Sequence, residues 1–490
     1  MSSVLDAVSK YAGISPDTTA IRTANSSLSY SELYKKVNKL ASQLANKNIR
    51  LLALYADNCP SWVIVDLACQ QAKICLIPIP TFFSEQQIAH TLKSSSADAL
   101  IAPIAIADNA IEIPLNTVIG NNLKLFKLPV EALANLPENT SKITFTSGST
   151  GNPKGVCLSI EQMVNVAKSI VEVSPSEKIT KHLCILPLAV LLENIGGVYA
   201  NLLIGSTIIL LPANEVGFIG SSLFNADELL STLSRYKPNS LILLPQLLAS
   251  VLQSIGQNEN DVDITSLAFV AVGGGKVVSS YLKQAQLYGL PIYEGYGLSE
   301  CSSVVCLNTP QQQRIGTVGK YLSHIDAEIA ADGELIINGQ TFLGYLNNPD
   351  SWYPKMLATG DLVEKDDDGY ISIYGRKKNL LISSFGRNIS PEWVESTLQQ
   401  APSILQCVVF GDAQPFCIAL IYTSEQVTNE QIEQELYEYN QELPDYAQVK
   451  HWHVLQTALT FEDGFVTVNG RLKRDEIALA FNEEINKLYQ

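Results

Sequence analysis

Hydrophobic positions in the first 320 residues follow two different spacings. Leu33, Val37 and Leu40 recur at the spacing of an amphipathic helix, directly after Ser29-Tyr-Ser-Glu32, which has the pattern of a capping box. The short apolar run 51–55 instead fits a buried strand. This alternation predicts an α/β architecture with a largely parallel sheet. Further strands are predicted at 182–188, 207–211, 241–244 and 268–272, and further helices at 161–171, 226–236 and 279–288.

The spacing changes after about residue 320. Alternating apolar runs at 327–337 and 362–374 are interrupted by Asp332-Gly333 and by Asp366–Gly369, which are signals of hairpin turns. We therefore expect a domain boundary near Gly375-Arg-Lys-Lys378. Beyond it the pattern predicts helices at 392–400 and 429–440 and strands at 405–410 and 416–422.

Composition narrows the possible functions. A chain of 490 residues is expected to form two or more domains. Its formal net charge of −16 disfavours a nucleic-acid partner, for which a basic surplus is typical. Its apolar runs are too short to cross a bilayer and its first residues lack the features of a secretory signal, so we expect a cytoplasmic protein. The nine cysteines form no CxxC pair, which disfavours a zinc site or a disulfide framework.

A segment rich in glycine and hydroxyl groups at 146–155 is the strongest chemical signal in the chain. Glycines let backbone N–H groups approach phosphate oxygens, hydroxyls add donors, and a lysine supplies positive charge. Pro153 stands where a Walker loop has its second glycine, so a P-loop of the GTPase type is disfavoured. Taken alone, the segment is also compatible with a surface turn. Its candidate nucleotide-binding residues are Thr146, Ser147, Gly148, Ser149, Thr150, Gly151 and Lys154.

The whole string, Thr-Ser-Gly-Ser-Thr-Gly-Asn-Pro-Lys-Gly, resembles the phosphate loop of the adenylate-forming superfamily, which includes acyl-CoA synthetases, peptide-synthetase adenylation domains and firefly luciferase. The resemblance implies an N-terminal α/β domain of mixed sheets layered with helices, with a small β-rich subdomain, at 1–375. It also implies a hinge at 376–378 and a small mobile α+β C-terminal domain at 379–490. Further segments resemble motifs of that family in the same order, at 272–275, 293–300, 359–361, 375–376 and 384–392.

The same resemblance implies a role for each motif. Tyr296 would stack on adenine, Asp361 would accept hydrogen bonds from ribose, and Arg376 would donate to ribose and phosphate. Glu300 would hold Mg2+, a cation that prefers carboxylate oxygens, and Lys378 would be the hinge residue. Each of these residues is individually common in turns or on surfaces, but the ordered set favours ATP binding. The remaining implied nucleotide-binding residues are Gly273, Gly274, Gly275, Glu294, Gly297 and Ser299.

The C-terminal string Thr467-Val-Asn-Gly-Arg-Leu-Lys-Arg474 departs from the family pattern. The family has a catalytic lysine where this sequence has Arg471, and Lys473 follows two positions later. Arginine can neutralise the charge that develops during adenylation, with a different reach and geometry. Three interpretations stay open: Arg471 is the catalytic cation, Lys473 takes the role, or adenylation is lost. The intact nucleotide motifs, including the catalytic candidate Glu300, favour a working enzyme.

A second departure concerns the substrate. The segment 186–193 resembles one in long-chain fatty acyl-CoA synthetases, but Val190 replaces a histidine or an aromatic residue. The resemblance predicts that ATP and Mg2+ activate an apolar, fatty-type carboxylic acid as an acyl-adenylate, in a pocket lined around Val190–Glu193 and Gly273–Gly275. Transfer to the thiol of coenzyme A or of an acyl-carrier-protein phosphopantetheine would follow. The alternatives are an amide-forming enzyme with an amine acceptor and a catalytically impaired ATP-binding homologue.

Overall fold

A nine-stranded sheet forms the centre of the N-terminal part of the chain. The computed structural model describes residues 3–107, 109–115, 120–130, 132–146, 153–219, 223–257, 263–339, 341–384, 387–424, 427–467 and 470–490. As the alternating pattern predicted, the central pairs of the sheet are parallel, whereas the pairs at its two edges are antiparallel. Its strands, in spatial order, are Lys320–Tyr321, Ser303–Leu307, Ile292–Leu298, Phe269–Val272, Ser240–Leu243, Lys181–Cys184, Thr207–Leu210, Thr19–Arg22 and Ser27–Ser29.

A second sheet of eight strands lies on the other side of a layer of helices. It is mixed as well, with parallel pairs at its centre and antiparallel pairs towards both edges. Its strands, in spatial order, are Gly344–Tyr345, Lys154–Leu158, Lys142–Thr146, Cys75–Ile79, Leu51–Tyr55, Ala99–Ala102, Lys124–Lys127 and Ile111–Ile113.

Helices occupy the space between the two sheets and cover the outer face of the nine-stranded sheet. Apolar side chains of both sheets, such as Leu52 and Ile208, share one core with the helices between them, which include Tyr30–Ala45 and Pro60–Ala72. A second core packs the helices Ala226–Tyr236, Pro245–Gln257 and Ser279–Leu287 against the opposite face. The other helices of this part are Val4–Ile14, Glu85–Ser95, Ile160–Val173, the π-helix Leu192–Tyr199 and Ala200–Leu203.

The remaining elements form the β-rich subdomain and the C-terminal domain, which confirms the predicted fold class. Four antiparallel strands form the subdomain: Asp326–Ile329, Glu334–Asn338, Met356–Lys365 and Ile371–Arg376. The C-terminal part has a sheet of Ile404–Phe410, Cys417–Thr423 and Val449–Val454 with the helices Pro391–Leu398, Asn429–Asn440, Arg474–Ala480 and Asn482–Lys487. Two further antiparallel pairs join Phe218–Ile219 with Leu223–Phe224 and Leu381–Ile382 with Asn388–Ile389. Short 3-10 helices are Ser176–Lys178, Ala213–Val216, Ser299–Cys301, Pro349–Ser351, Lys377–Asn379 and Asp445–Ala447.

The predicted strand at 182–188 is wrong in its second half. The strand is Lys181–Cys184, and the chain then leaves the sheet. The backbone N–H of Leu186 donates to the Glu193 carboxylate at 2.9 Å instead of to a neighbouring strand, and Pro187 has no N–H to donate. The buried Glu193 thus ends the strand and begins the turn into the π-helix.

A buried ion pair anchors the π-helix from behind. The Lys142 ammonium lies 3.0 Å from the Asp66 carboxylate, and both side chains are almost completely buried. Asn194 and Tyr199 of the π-helix accept hydrogen bonds from Lys142, and the Tyr199 hydroxyl donates to Asp66 at 2.8 Å. The cluster therefore ties the strand Lys142–Thr146, the helix Pro60–Ala72 and the π-helix together. Within the described ranges, no helix combines the length and the apolar character that a membrane span requires.

Candidate active site

The candidate site is a cleft at the carboxyl ends of the parallel strands of the nine-stranded sheet, where α/β proteins bind their ligands. The cleft has a volume of about 1580 Å3. Ser147, Gly148, Ser149, Thr150 and Gly151 lie outside the described residues, and every other residue that the sequence predicted for catalysis, nucleotide binding or the hinge lines this one cleft. Those residues are Thr146, Lys154, Gly273, Gly274, Gly275, Glu294, Tyr296, Gly297, Ser299, Glu300, Asp361, Arg376, Lys378, Arg471 and Lys473.

The two ends of the glycine-rich segment lie on adjacent antiparallel strands. Thr146 ends one strand and pairs in register with Lys154, which begins the next. The Lys154 ammonium lies 5.7 Å from the centre of the Tyr345 ring.

Tyr296, Asp361 and Arg376 form one hydrogen-bonded group. The Tyr296 hydroxyl donates to one carboxylate oxygen of Asp361 at 2.5 Å, and the Arg376 Nε donates to the other at 2.6 Å. Burial raises the pKa of the Asp361 carboxyl, and the charge of Arg376 opposes that shift. Asp361 remains an acceptor with further lone pairs, as binding of ribose hydroxyls requires.

Glu300 is held in place by a residue that the sequence interpretation missed. Its carboxylate accepts a hydrogen bond from the Tyr345 hydroxyl at 2.8 Å. Tyr345 belongs to the eight-stranded sheet, and Glu300 follows a strand of the nine-stranded sheet, so the contact joins the two sheets. Because this partner lies 45 positions away, no local sequence signal indicates it. A carboxylate oriented in this way suits a hard cation such as Mg2+.

Three of the predicted glycines are required by the backbone itself. A Cβ at Gly297 would clash with the carbonyl of Ser303 on the neighbouring strand, and one at Gly273 would lie 3.0 Å from the carbonyl of Gly295. Gly274 has a φ of +87°, which other residues rarely adopt. These glycines therefore bring the strand ends close together, a structural demand that exists beside their proposed contact with the nucleotide.

Glu294 is a buried acid at the base of this group. Its carboxylate accepts a long hydrogen bond of 3.4 Å from the backbone N–H of Val277. Burial raises the pKa of the Glu294 carboxyl to about 8, although Val277 and Lys276 oppose the shift. Glu294 is therefore largely protonated below that pH.

We expect Glu294→Gln to flatten the pH dependence of stability. The folded pKa of about 8 lies above the reference value of 4.5, so the native state binds the proton more tightly. This contribution to stability is complete below pH 4.5 and is lost as the pH rises through about 8. Denaturant titrations across this range should show a smaller decline for the variant than for the native chain. The exposed Glu328→Gln is the control, and an equal decline in both variants would contradict the assignment.

The C-terminal domain places Arg471 against the N-terminal groups. The Arg471 side chain is exposed to the cleft. Loss of hydration next to the surrounding protein lowers the pKa of its guanidinium, and the positive charge of Arg376 lowers it further. The nearby Asp361, Tyr296 and Glu300 oppose that shift. The preceding Gly470 approaches Gln246 of the N-terminal part so closely that a Cβ would lie 3.0 Å from the amide group. The two domains are thus closed over the cleft, with a cation from one facing the carboxylates of the other.

The two basic residues after Arg471 have different surroundings. Lys473 precedes the helix Arg474–Ala480, and its backbone N–H donates to the carbonyl of Phe465 at 2.8 Å. Arg474 is enclosed by the C-terminal domain and donates two hydrogen bonds to Glu395, at 2.5 and 3.1 Å. Arg474 therefore has a structural ion pair, whereas Arg471 has the predicted nucleotide-binding residues as its neighbours.

The proposed hinge carries one paired and one exposed lysine. Lys377 forms ion pairs with Asp332 at 2.6 Å and with Glu334 at 2.8 Å, both in the β-rich subdomain. Lys378 is exposed at the edge of the cleft. The apolar cores of residues 4–371 and 381–485 are separate, which is compatible with rotation at 376–378.

An apolar channel leads from the nucleotide residues along one face of the nine-stranded sheet. Its floor consists of alternate residues of two paired parallel strands, in which Ser240 pairs with Phe269 and Ile242 with Ala271. From Phe269 to Gly273 the floor spans four residue-to-residue steps, about 13 Å at the rise of a parallel strand. The roof is formed by Ile170, Leu192, Gly196, Ala200 and Ile204.

The predicted acyl segment forms part of this roof, with one difference. Val190, Leu191 and Leu192 line the cleft as expected, together with Gly273–Gly275. Glu193 does not line it, because its side chain is completely buried and bound to His182 at 2.9 Å and to the backbone of Leu186. The sequence pattern could not indicate this pair, which depends on the turn of the π-helix.

Three features together are those of adenylate-forming enzymes: two mixed sheets, a cleft at the strand ends, and a C-terminal domain that supplies a cation to the cleft. A family model described as AMP-binding enzyme matches residues 8–346, and one described as the C-terminal domain of AMP-binding enzymes matches residues 378–490. The chain therefore belongs to the AMP-binding enzyme family, as the resemblance predicted. As an enzyme it is an AMP-forming acid–thiol ligase.

Individual relatives differ in their acids. A 2-succinylbenzoate–CoA ligase from Staphylococcus epidermidis is 27% identical, over 96% of this chain and 95% of its own length. A long-chain-fatty-acid–CoA ligase from Mycobacterium bovis is also 27% identical, over 74% of this chain and 70% of its own. The solved structure of o-succinylbenzoate coenzyme A synthetase from Bacillus subtilis with ATP and magnesium ion has a TM-score of 0.75 and 21% identity, over 96% of this chain and 98% of that one.

Proposed function

We propose that this enzyme activates an aliphatic carboxylic acid with ATP and Mg2+ and transfers the acyl group to the thiol of coenzyme A or of a carrier-protein phosphopantetheine. The observation that carries the proposal is the apolar channel that leads away from the predicted nucleotide-binding residues. Ile170, Leu192, Ile242 and Ala271 give it apolar walls, and the floor extends about 13 Å from the nucleotide residues. A flat aryl acid would leave much of such a channel unfilled.

The first step needs no protein nucleophile, because the substrate carboxylate attacks the α-phosphate of ATP directly and pyrophosphate leaves. The protein holds the two reactants in line and stabilises the developing negative charge. Lys154 and Arg471 supply positive charge, and Asp361 with Arg376 positions the ribose. Glu300 is the residue that would hold Mg2+, which when bound neutralises phosphate charge.

The second step transfers the acyl group from AMP to a thiol. The thiol sulfur attacks the acyl carbon as the thiolate, and AMP leaves with the electrons of the broken acyl–phosphate bond. We assign the rotation that admits the thiol to the hinge at 376–378, with Lys378 as its pivot. The solved relative with ATP and magnesium ion and the curated CoA ligases support this choice of co-substrates.

The acid is identified by pyrophosphate release with a panel of saturated acids from hexanoic to hexadecanoic, together with benzoic and 2-succinylbenzoic acids. We expect the highest kcat/KM for one of the aliphatic acids. Preference for an aromatic acid would replace our proposal with the activity named for the Staphylococcus epidermidis relative. Mass analysis of products formed with coenzyme A, holo-carrier protein or an amine then identifies the acceptor.

A larger side chain on the channel floor should shorten the acids that the enzyme accepts. Ala271 lines the channel, so Ala271→Phe places a ring in the path of a long chain. We expect kcat/KM to fall at least tenfold for the longest accepted acid and to change little for the shortest, since added bulk acts only where the substrate reaches it. Ala330→Phe, outside the cleft, is the control. A uniform loss for all chain lengths would contradict the position of the acyl group.

A further inference from the structure

The far end of the channel is polar, in contrast to its middle. Ser174, His182, Asn201 and Ser240 line the cleft there, beyond Ile242 and Leu192. His182 and Ser240 are paired in register near the beginnings of their strands, the ends remote from the nucleotide residues. A purely hydrocarbon chain would gain nothing from such groups, because buried polar atoms without partners are unfavourable.

The Ser240 hydroxyl has spare hydrogen-bonding capacity. One His182 nitrogen lies 2.9 Å from the Glu193 carboxylate and the other lies 2.9 Å from the Ser240 oxygen. A neutral imidazole that donates to Glu193 accepts the Ser240 proton and leaves the oxygen lone pairs of Ser240 unused. A charged imidazole donates to Ser240 and leaves the Ser240 proton unused. In either state one partner position at Ser240 is open to a ligand.

Asn201 supplies a second open hydrogen-bonding position, one helical turn after Gly197. Its amide nitrogen donates to the carbonyl of Gly197 at 2.8 Å, and Gly197 itself faces His182. Its side-chain oxygen accepts no hydrogen bond from any residue that the structure describes, although Asn201 is buried. Asn201 lines the cleft, so this oxygen is available to accept a hydrogen bond from a bound molecule.

The charge at this end selects the kind of group. The buried Glu193 carboxylate lies directly behind His182, and the channel residues around them carry no lysine or arginine in the described ranges. A second carboxylate on the substrate would meet no fixed positive partner. A hydroxyl group, which both donates and accepts, matches the open positions at Asn201 and Ser240 without adding charge.

We propose that the acid carries a hydroxyl group at or near the end remote from its carboxylate. This inference rests on the proposed function, since it names the class of aliphatic acid that the same channel binds. In the bound state the substrate hydroxyl either donates its one proton to the Asn201 oxygen and accepts from Ser240, or donates that proton to Ser240. The reacting carboxylate remains at the nucleotide end of the channel.

The test compares acids of equal length that differ only at the far end: the plain acid, its ω-hydroxy form and its dicarboxylic form, from octanoic to hexadecanoic. We expect the hydroxy acid to have a kcat/KM about tenfold above that of the plain acid at the best length, as one neutral hydrogen bond provides. The diacid should be the poorest of the three. A ratio of hydroxy to plain acid of one or less at every length would overturn the inference and leave the proposed function intact. Failure to activate any acid would overturn both.

Ser240→Ala separates recognition from packing. We expect this variant to reduce the preference for the hydroxy acid, measured as the ratio of its kcat/KM to that of the plain acid of equal length, about tenfold. The control is Ser169→Ala, a buried serine that hydrogen-bonds Ser323 and does not line the cleft. An unchanged preference in Ser240→Ala, or an equal reduction in the control, would contradict the contact.

Discussion

Replacing Arg471 by alanine is expected to lower the rate of adenylate formation by about a hundred- to a thousandfold, the usual loss when one oriented donor to a developing charge is removed. Arg471 is the residue of the C-terminal string whose charge interacts with Arg376, Asp361 and Glu300 across the cleft. Pyrophosphate release with saturating ATP and the best acid measures the effect.

Two further variants make this prediction specific. Lys473→Ala should retain most activity, because Lys473 begins a helix beside the site and Arg471 already occupies the position near the nucleotide residues. Arg471→Lys keeps the charge and should recover a large part of the rate, with a loss that reflects its single donor group. If Lys473→Ala is the slower variant, the catalytic cation is Lys473 and our assignment is wrong.

Replacing Lys142 by methionine is expected to lower the free energy of unfolding by about 3–5 kcal/mol. Methionine is similar in length but carries no charge, so the buried Asp66 carboxylate loses its partner. Asn194 and Tyr199 lose their donor as well, and the back of the π-helix loses its anchor. Denaturant-induced unfolding of the N-terminal domain in the whole chain provides the measurement.

An exposed ion pair that also joins a lysine to a carboxylate provides the control. Lys124 lies 2.9 Å from Glu112, and both side chains are about half exposed. Lys124→Met should therefore change stability by less than about 1 kcal/mol. Combining Asp66→Asn with Lys142→Met should recover part of the loss, because it removes the unpaired charge. A double variant that is less stable than Lys142→Met alone would show that charge pairing is not the cause.

Local patterns in the sequence predicted local structure well. The strand Leu51–Tyr55 and the helices Ala226–Tyr236 and Asn429–Asn440 have the predicted bounds, and Ser29 forms the predicted capping box. In these segments the periodicity and the caps act within a few residues. The strand predicted at 182–188 failed because its end depends on Glu193, whose carboxylate takes a backbone donor from the turn.

The sequence indicated which described residues line the cleft, but not the contacts that support them, and the roles of these residues stay predictions. The motifs have recognisable residue types in a fixed order, so the sequence could single out Tyr296, Asp361 and Arg376, which the structure brings into one hydrogen-bonded group. Tyr345, which positions Glu300, and the pair of His182 and Glu193 became visible only in three dimensions. Such partners are ordinary residues in the sequence, and their importance comes from burial and from contacts between separate elements.

The division of charges between two domains has a consequence for the fate of ATP. Arg471 belongs to the C-terminal domain, whereas Asp361, Arg376 and Glu300 belong to the N-terminal part. Opening of the cleft would move Arg471 away from Asp361, Arg376 and Glu300, so the four charges would no longer act on one ligand. With Arg471 as the proposed catalytic cation, ATP bound to an open molecule would lack the group that promotes its cleavage. The division of the charges would therefore restrict ATP cleavage to the closed state of the enzyme, and ATP would not be consumed while the cleft is open.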